Sequence, residues 1–222
     1  KRKHLRKIGG PWRFKAVPYY KTIAPDVVSY RKVLARLGRR MTIKKRFINA
    51  TQAYFELLRI SPDLEQRIDI IEKLYVSMKN TGRRWPVIGF SQEIEQTVYQ
   101  VRNNQVLTKA QVKKYNSDFE IYLRDIATRQ NKRAKKTRKV YDWKYAVDDY
   151  KAYLRTFPQN KYTLTMQLNL AESYYNAKFP LNAAKEYEKL AHIIKNKKRK
   201  KSLWDSSIVS YINTIRKISD LS

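Results

Sequence analysis

Cysteine is absent from this 222-residue chain, and histidine, glycine and acidic residues are scarce. The lack of cysteine excludes disulfides, zinc–thiolate sites, iron–sulfur clusters and thiol nucleophiles. Only two histidines are present, His4 and His192, and neither has a spaced partner for a metal site or a catalytic triad. No apolar run approaches the ~20 residues of a membrane-spanning helix, so we expect no transmembrane segment.

Candidate catalytic groups are few. The five glycines are isolated apart from Gly9 and Gly10, so no phosphate-cradling loop is present. Neighbouring acids such as Asp148 and Asp149 point to different faces of a helix and do not form an acid–base pair. We therefore expect a protein that is not an enzyme, with no catalytic residue, no metal site and no cofactor.

Positive charge is the dominant feature of the composition: 49 Lys and Arg face 19 Asp and Glu, a net charge of +30. Four acid-free runs concentrate the excess, at 1–7, 39–46, 132–139 and 195–201. One interpretation is solvated basic loops without a dedicated partner. The other is that several runs converge on a polyanion such as nucleic acid or an anionic surface. The candidate polyanion-binding residues are Lys132, Arg133, Lys135, Lys136, Arg138, Lys139, Lys195, Lys197, Lys198, Arg199, Lys200 and Lys201.

Apolar residues recur every three or four positions, and no stretch alternates with a period of two. This pattern predicts an all-α protein of about nine helices. Gly38 is placed to end the first long helix, Ser91 suits an N-cap, and Thr108 with Gln111 has the spacing of a capping box. The expected helices lie after Pro25, at about 42–60 and 64–79, after Ser91 and Thr108, and at about 141–156, 162–177, 180–195 and 203–218.

Proline, glycine and charge divide the chain into four expected segments. Residues 1–25 combine glycine and proline with basic and aromatic residues and are expected to form an extended basic arm. Irregular helical repeats should follow over 26–130, then a basic linker over 131–140 and a second repeat region over 141–222. The chain begins at Lys1 rather than Met, and we expect a further segment upstream of it.

One spacing recurs in the helical segments. A small residue, an aromatic residue one turn later, a further apolar residue and a proline after the helix occur twice at identical intervals. The small residue lets two helices approach, the aromatic ring fills the groove between them, and proline ends the helix. The residues are Ala50, Tyr54, Leu57 and Pro62, and again Ala146, Tyr150, Tyr153 and Pro158, with Ala183 and Tyr187 repeating the first two positions.

This spacing resembles the second helix of the tetratricopeptide repeat, and Leu170, Ala171 and Tyr174 match the first helix of that repeat. The resemblance is strongest over 142–191, which is similar to repeats of bacterial envelope proteins that assemble outer-membrane barrels, coordinate cell-wall synthesis or drive gliding. It implies antiparallel helix pairs stacked as an α-solenoid, irregular in the middle of the chain.

The resemblance also implies a function. First helices of successive tetratricopeptide pairs line a concave groove that takes a peptide segment or a partner helix. The chain would then be a scaffold in a larger assembly of the bacterial cell envelope or periplasm, with basic loops holding acidic partners. On this register the groove residues are Thr165, Leu168, Glu172, Tyr175 and Asn176 in the clear repeat, and Gln66, Asp69, Lys73 and Val76 in the earlier one.

The charge leaves an alternative open. An RNA-associated helical protein of the ribosome or of an organelle ribosome would use the basic arm and loops to bind the nucleic-acid backbone. No base-reading motif is visible, so this binding would follow charge rather than sequence.

Overall fold

The structure, a computed structural model, describes residues 15–61, 63–81 and 88–219, and every regular element within these ranges is an α-helix. The all-α class is therefore confirmed for this part of the chain. Contacts divide the chain into two compact units, Lys1–Val87 and Ile88–Ser222. The boundary between the units lies well before the expected linker at 131–140.

The described part of the first unit holds four helices: α1 (Ala16–Ile23), α2 (Val27–Ile43), α3 (Phe47–Ile60) and α4 (Leu64–Asn80). Both α2 and α4 pack against α3. Asp26 and Asp63 cap the starts of α2 and α4, because Asp26 accepts a hydrogen bond from one backbone N–H group of the first turn and Asp63 accepts from two. Arg67 ties α4 to the end of α3, where its guanidinium donates to the carbonyl oxygens of Leu58 (3.1 Å) and Ser61 (3.4 Å).

Three expectations for the first unit differ from the structure. Gly38 does not end the first long helix; it is buried inside α2, where the Tyr54 ring of α3 packs against it. The next helix therefore begins at Phe47 rather than near residue 42. Within the expected extended arm, Ala16–Ile23 form α1, and residues 1–14 lie outside the described residues.

Six helices form the described part of the second unit: α5 (Phe90–Arg102), α6 (Lys109–Thr137), α7 (Val140–Thr156), α8 (Thr163–Asn176), α9 (Pro180–Ile193) and α10 (Lys197–Ser219). Each helix packs against the next one, α5 also contacts α7, and α6 also contacts α8. The predicted capping box is confirmed at the start of α6. Thr108 Oγ1 accepts a hydrogen bond from the Gln111 backbone N–H (3.2 Å), and Gln111 Oε1 accepts one from the Thr108 backbone N–H (2.9 Å).

The expected basic linker is mostly helical, because α6 continues to Thr137. Asn131 and Ala134 are buried on the inner face of this segment, so Lys132, Lys135 and Lys136 lie on its outer helical face, whereas Arg138 and Lys139 lie in the turn after the helix. The last basic run also differs from expectation. Its residues from Lys197 onward open α10, which was expected to begin near residue 203.

The small and aromatic positions of the repeated spacing are buried in three helices. Alanines at the small position, Ala50 in α3, Ala146 in α7 and Ala183 in α9, have no exposed surface. The aromatic residues that follow one turn later are buried as well. The spacing therefore marks helix–helix packing positions, as the packing argument predicted.

Candidate functional site

The predicted groove face of α8 lies between two other helices. The Tyr175 hydroxyl oxygen accepts a hydrogen bond from Nδ2 of Asn213 in α10 (3.0 Å). On the other side, the Glu172 carboxylate lies 3.6 Å from Nζ of Lys135 in α6. Asn176 uses its side-chain amide within α8, where it donates to the Glu172 carbonyl oxygen (2.7 Å). Polar contacts thus join α6, α8 and α10 along the face that the register assigned to a groove.

A cavity of about 520 Å³ opens at the start of this face, between α8, the end of α9 and the start of α10. Its wall includes Thr165 and Leu168 of the predicted groove and Lys195 and Arg199 of the predicted polyanion set. The sequence assigned these residues to separate features, and the structure places them around one cavity. Other lining residues are Lys161, Leu164, Leu190, Ile193, Ile194 and Asn196.

The cavity combines an apolar wall with cations. Leu164 is 45% exposed and Ile193 is 57% exposed, so apolar surface remains accessible to a ligand. Lys161, Lys195 and Arg199 are all exposed. A ligand with an apolar anchor and a neighbouring carboxylate matches these two chemistries.

Asn196 positions the cations of α10. Its side-chain Oδ1 accepts a hydrogen bond from the Arg199 backbone N–H (2.9 Å), which caps the helix and directs residues 197–201 into its first turns. The partial positive charge of a helix N-terminus disfavours each cation there by about 0.3–1 kcal/mol. Local stability therefore does not account for the basic character of this helix start.

The two basic runs of the second unit do not converge. The run at 195–201 lines one cavity together with the first residues of α8. Lys135 of the run at 132–139 instead lies beside Glu172, near the end of α8. The cavity residues Leu164 to Leu168 precede Glu172 by four to eight residues, so about 6–12 Å of helix axis separates the two points of contact. Because successive helices alternate in direction, the two runs lie at opposite ends of the helical pairs.

Within the run at 132–139, one cation has a structural role. Arg133 Nε lies 2.8 Å from Oδ1 of Asp142, a residue with no exposed surface. Thr137 donates its hydroxyl proton to the other carboxylate oxygen of Asp142 (2.6 Å). Arg133 therefore neutralises a buried acid of α7. The other predicted cations of the run are exposed: Lys132, Lys135, Lys136, Arg138 and Lys139.

In the first unit, three of the four predicted groove residues line a pair of adjoining cavities between α2 and α4. Asp69, Lys73 and Val76 contribute from α4, above a floor that includes Tyr54. The volumes are about 500 and 270 Å³. Lys73 is paired with Asp69 at 2.6 Å, and Gln66 is exposed outside these cavities. Arg36 and Arg39 of α2 complete the wall of the larger cavity.

Sequence reasoning missed the buried acids of the second unit. Asp149 lies in the interior and accepts a hydrogen bond from the Ser91 hydroxyl (2.5 Å), so Ser91 is a buried partner rather than the expected N-cap. Burial raises the pKa of Asp149 to about 7, against the opposing effect of the Ser91 hydrogen bond. Glu120 accepts from the Tyr153 hydroxyl (2.8 Å) and pairs with Arg124. The sequence gives no signal for the Ser91–Asp149 and Tyr153–Glu120 contacts, because the partners lie far apart along the chain.

Within the described ranges, His, Asp and Glu side chains form no group of three that could hold a metal ion. Over the same residues, none of the helices combines the length and hydropathy needed to cross a membrane. Neither the protein-family models nor the curated proteins contain a match to this chain.

Proposed function

We propose that the chain is a non-enzymatic, tetratricopeptide-like scaffold whose second unit binds a segment of an acidic protein partner. The observation that carries this proposal is the cavity between α8, α9 and α10, where exposed apolar side chains adjoin Lys161, Lys195 and Arg199. Apolar anchors supply most of the affinity of a docked segment, and surrounding charges select and orient it.

The helix order supports this proposal. Successive tetratricopeptide pairs place their first helices side by side, and α6, α8 and α10 would be those helices. The contacts of Lys135 with Glu172 and of Tyr175 with Asn213 join these helices in that order. The buried alanine–tyrosine pairs of α7 and α9 would be the corresponding second helices. We assign the scaffold to an assembly of the bacterial cell envelope on the resemblance of 142–191.

Binding of two matched peptides tests this function. The probe is a fluorescein-labelled 14-residue peptide with leucine every third or fourth position among glutamates, and the control peptide replaces each leucine with serine. We expect the leucine peptide to bind at 150 mM salt and the serine peptide to bind at least ten-fold more weakly. Equal binding of both peptides, or no binding of either, would contradict the proposed groove.

Variants locate the site on the protein. Ile193→Ser and Arg199→Glu change exposed cavity residues, and each should weaken binding of the leucine peptide several-fold. Their matched controls are Ile208→Ser, which alters another exposed isoleucine, and Lys201→Glu, which alters another cation of α10. If the control variants lose as much affinity as the cavity variants, the peptide does not bind in this cavity.

A second candidate function is attachment to a nucleic-acid backbone, on a ribosome or in an organelle matrix. The observation that favours it is the exposed positive charge at the other end of the second unit, at Lys132, Lys136, Arg138 and Lys139. Such binding should weaken steeply between 50 and 200 mM salt, because its free energy comes from the release of counterions.

A further inference from the structure

Cations and exposed aromatic rings alternate at the end of the second unit that holds the α6–α7 turn. Lys139 Nζ lies 5.6 Å from the ring centroid of Tyr141, and Lys144 Nζ lies 5.3 Å from that of Phe179. Tyr141 is 47% exposed and Phe179 is 39% exposed. Lys178 precedes Phe179 in the α8–α9 turn. These five residues are called the cation–aromatic patch.

Lys144 makes the patch continuous. It stands three residues after Tyr141 on α7, which places both side chains on the same helical face. From there its ammonium group reaches Phe179 in the α8–α9 turn. One strip of surface therefore carries a ring at each side of a central cation, with further cations at Lys139 and Lys178.

Two cations at this end of the second unit have a left-handed backbone conformation, as does Lys45 in the first unit. Lys178 has φ 67°, and Arg138 beside the patch has φ 55°. The left-handed region disfavours L side chains, and glycine is the usual residue at such helix ends. A cation near a helix C-terminus recovers part of this cost through the helix dipole. Both turns nevertheless hold a cation where glycine would relieve the strain.

The rings distinguish between classes of polyanion. A sulfated polysaccharide or an acidic peptide can satisfy the ammonium groups, but neither alternates its anionic groups with planar aromatic faces. Duplex nucleic acid keeps its bases stacked inside the helix. A single strand offers phosphates and free base faces in alternation, which is the combination that cationic aromatic surfaces bind. The basic run at 195–201 contains no aromatic residue, so it lacks this combination.

We propose that the cation–aromatic patch binds single-stranded nucleic acid, with bases stacked on Tyr141 and Phe179 and phosphates held by Lys139, Lys144 and Lys178. This inference rests on the second candidate function, which it makes specific to one surface and one form of nucleic acid. It does not depend on the cavity at the opposite end of α8.

The test compares three probes on the full chain at 150 mM salt: a fluorescein-labelled 20-nucleotide oligo(U), a 20-base-pair duplex and fluorescent heparin. The ring variant is Tyr141→Leu with Phe179→Leu, because leucine keeps an apolar side chain at each position and removes the aromatic face. We expect this variant to bind oligo(U) at least ten-fold more weakly and to bind heparin unchanged. Unchanged helicity by circular dichroism would show that the fold is retained.

The charge variant is Lys139→Gln, Lys144→Gln and Lys178→Gln. Each lost phosphate contact should lower the slope of log K against log salt by about 0.7, hence by about 2 in total. The matched control, Lys197→Gln, Lys198→Gln and Lys200→Gln, removes the same charge at the opposite end. We expect the control variant to change the affinity for oligo(U) by less than two-fold.

Four outcomes would overturn the inference. An equal loss in the charge variant and its control means that binding follows net charge alone. A ring variant that binds oligo(U) normally, while the charge variant does not, leaves backbone attachment standing but removes the stacking site. Failure of the wild-type protein to bind any nucleic acid at 150 mM salt removes both, and full displacement of oligo(U) by polyglutamate would indicate an acidic protein partner instead.

Discussion

The ring of Tyr54 in α3 occupies the space in which a side chain at Gly38 of α2 would lie. A Cβ atom at position 38 would stand 2.5 Å from Cε1 and 2.8 Å from Cδ1 of that ring. Tyr54 is 5% exposed, so the ring cannot swing into solvent without leaving the core. Close approach of α2 and α3 therefore depends on the absence of a side chain at this position.

Gly38→Ala should destabilise the first unit. Alanine favours a helix by about 1 kcal/mol over glycine, but overpacking against a buried ring costs about 1–3 kcal/mol. Hydrogen exchange should show faster exchange in α2 and α3 and no change in α8 and α9. In a Tyr54→Leu background the same substitution should become neutral or stabilising; a loss of equal size in that background would contradict the proposed clash.

Asp149 should make stability depend on pH. Its pKa is about 7 in the folded chain and 3.8 ordinarily, so the folded state binds the extra proton between these values. The stabilisation that protonated Asp149 contributes is therefore complete below about pH 4. As the pH rises toward 7, the free energy of unfolding falls by up to ~1.4 kcal/mol per pH unit. Asp149→Asn should flatten this dependence in urea unfolding, whereas Asp205→Asn at an exposed site should leave it unchanged.

Arg133→Gln should destabilise the second unit by about 3 kcal/mol, because the Asp142 carboxylate would stay buried without its cation. Lys132→Gln removes the same charge from an exposed neighbour and should change the unfolding free energy by less than about 0.5 kcal/mol. Urea denaturation of the two variants measures the difference. Similar stability of both variants would mean that the ion pair of Arg133 with Asp142 does not stabilise the fold, and Arg133 would then count among the surface cations available to a polyanion.

Lys45→Gly should stabilise the first unit slightly. Lys45 follows α2 with φ 53°, where glycine removes backbone strain of roughly 1 kcal/mol, and loss of the favourable charge–dipole interaction offsets part of the gain. Lys44, its neighbour, has φ −78°, so Lys44→Gly should instead lose about 0.5–1 kcal/mol through backbone entropy. Thermal unfolding of the two variants should shift in opposite directions.

Local sequence determined the helices of this protein. Periodicity predicted most of them, and the Thr108–Gln111 capping box begins α6 where the spacing placed it. The alanine–tyrosine spacing predicted buried positions in α3, α7 and α9. The helical periodicity, the capping box and the alanine–tyrosine spacing are patterns within three to five residues, and such patterns can be read from one segment at a time.

Tertiary packing decided the rest. Gly38 stays inside a helix because a ring from another helix fills the adjacent space, and α6 continues past residue 131 because Asn131 and Ala134 find buried contacts. Alternating helix directions place the two basic runs of the second unit at opposite ends. Arg133 forms an ion pair with the buried Asp142. Each outcome depends on which helical faces meet across long stretches of chain, and no local spacing encodes that choice.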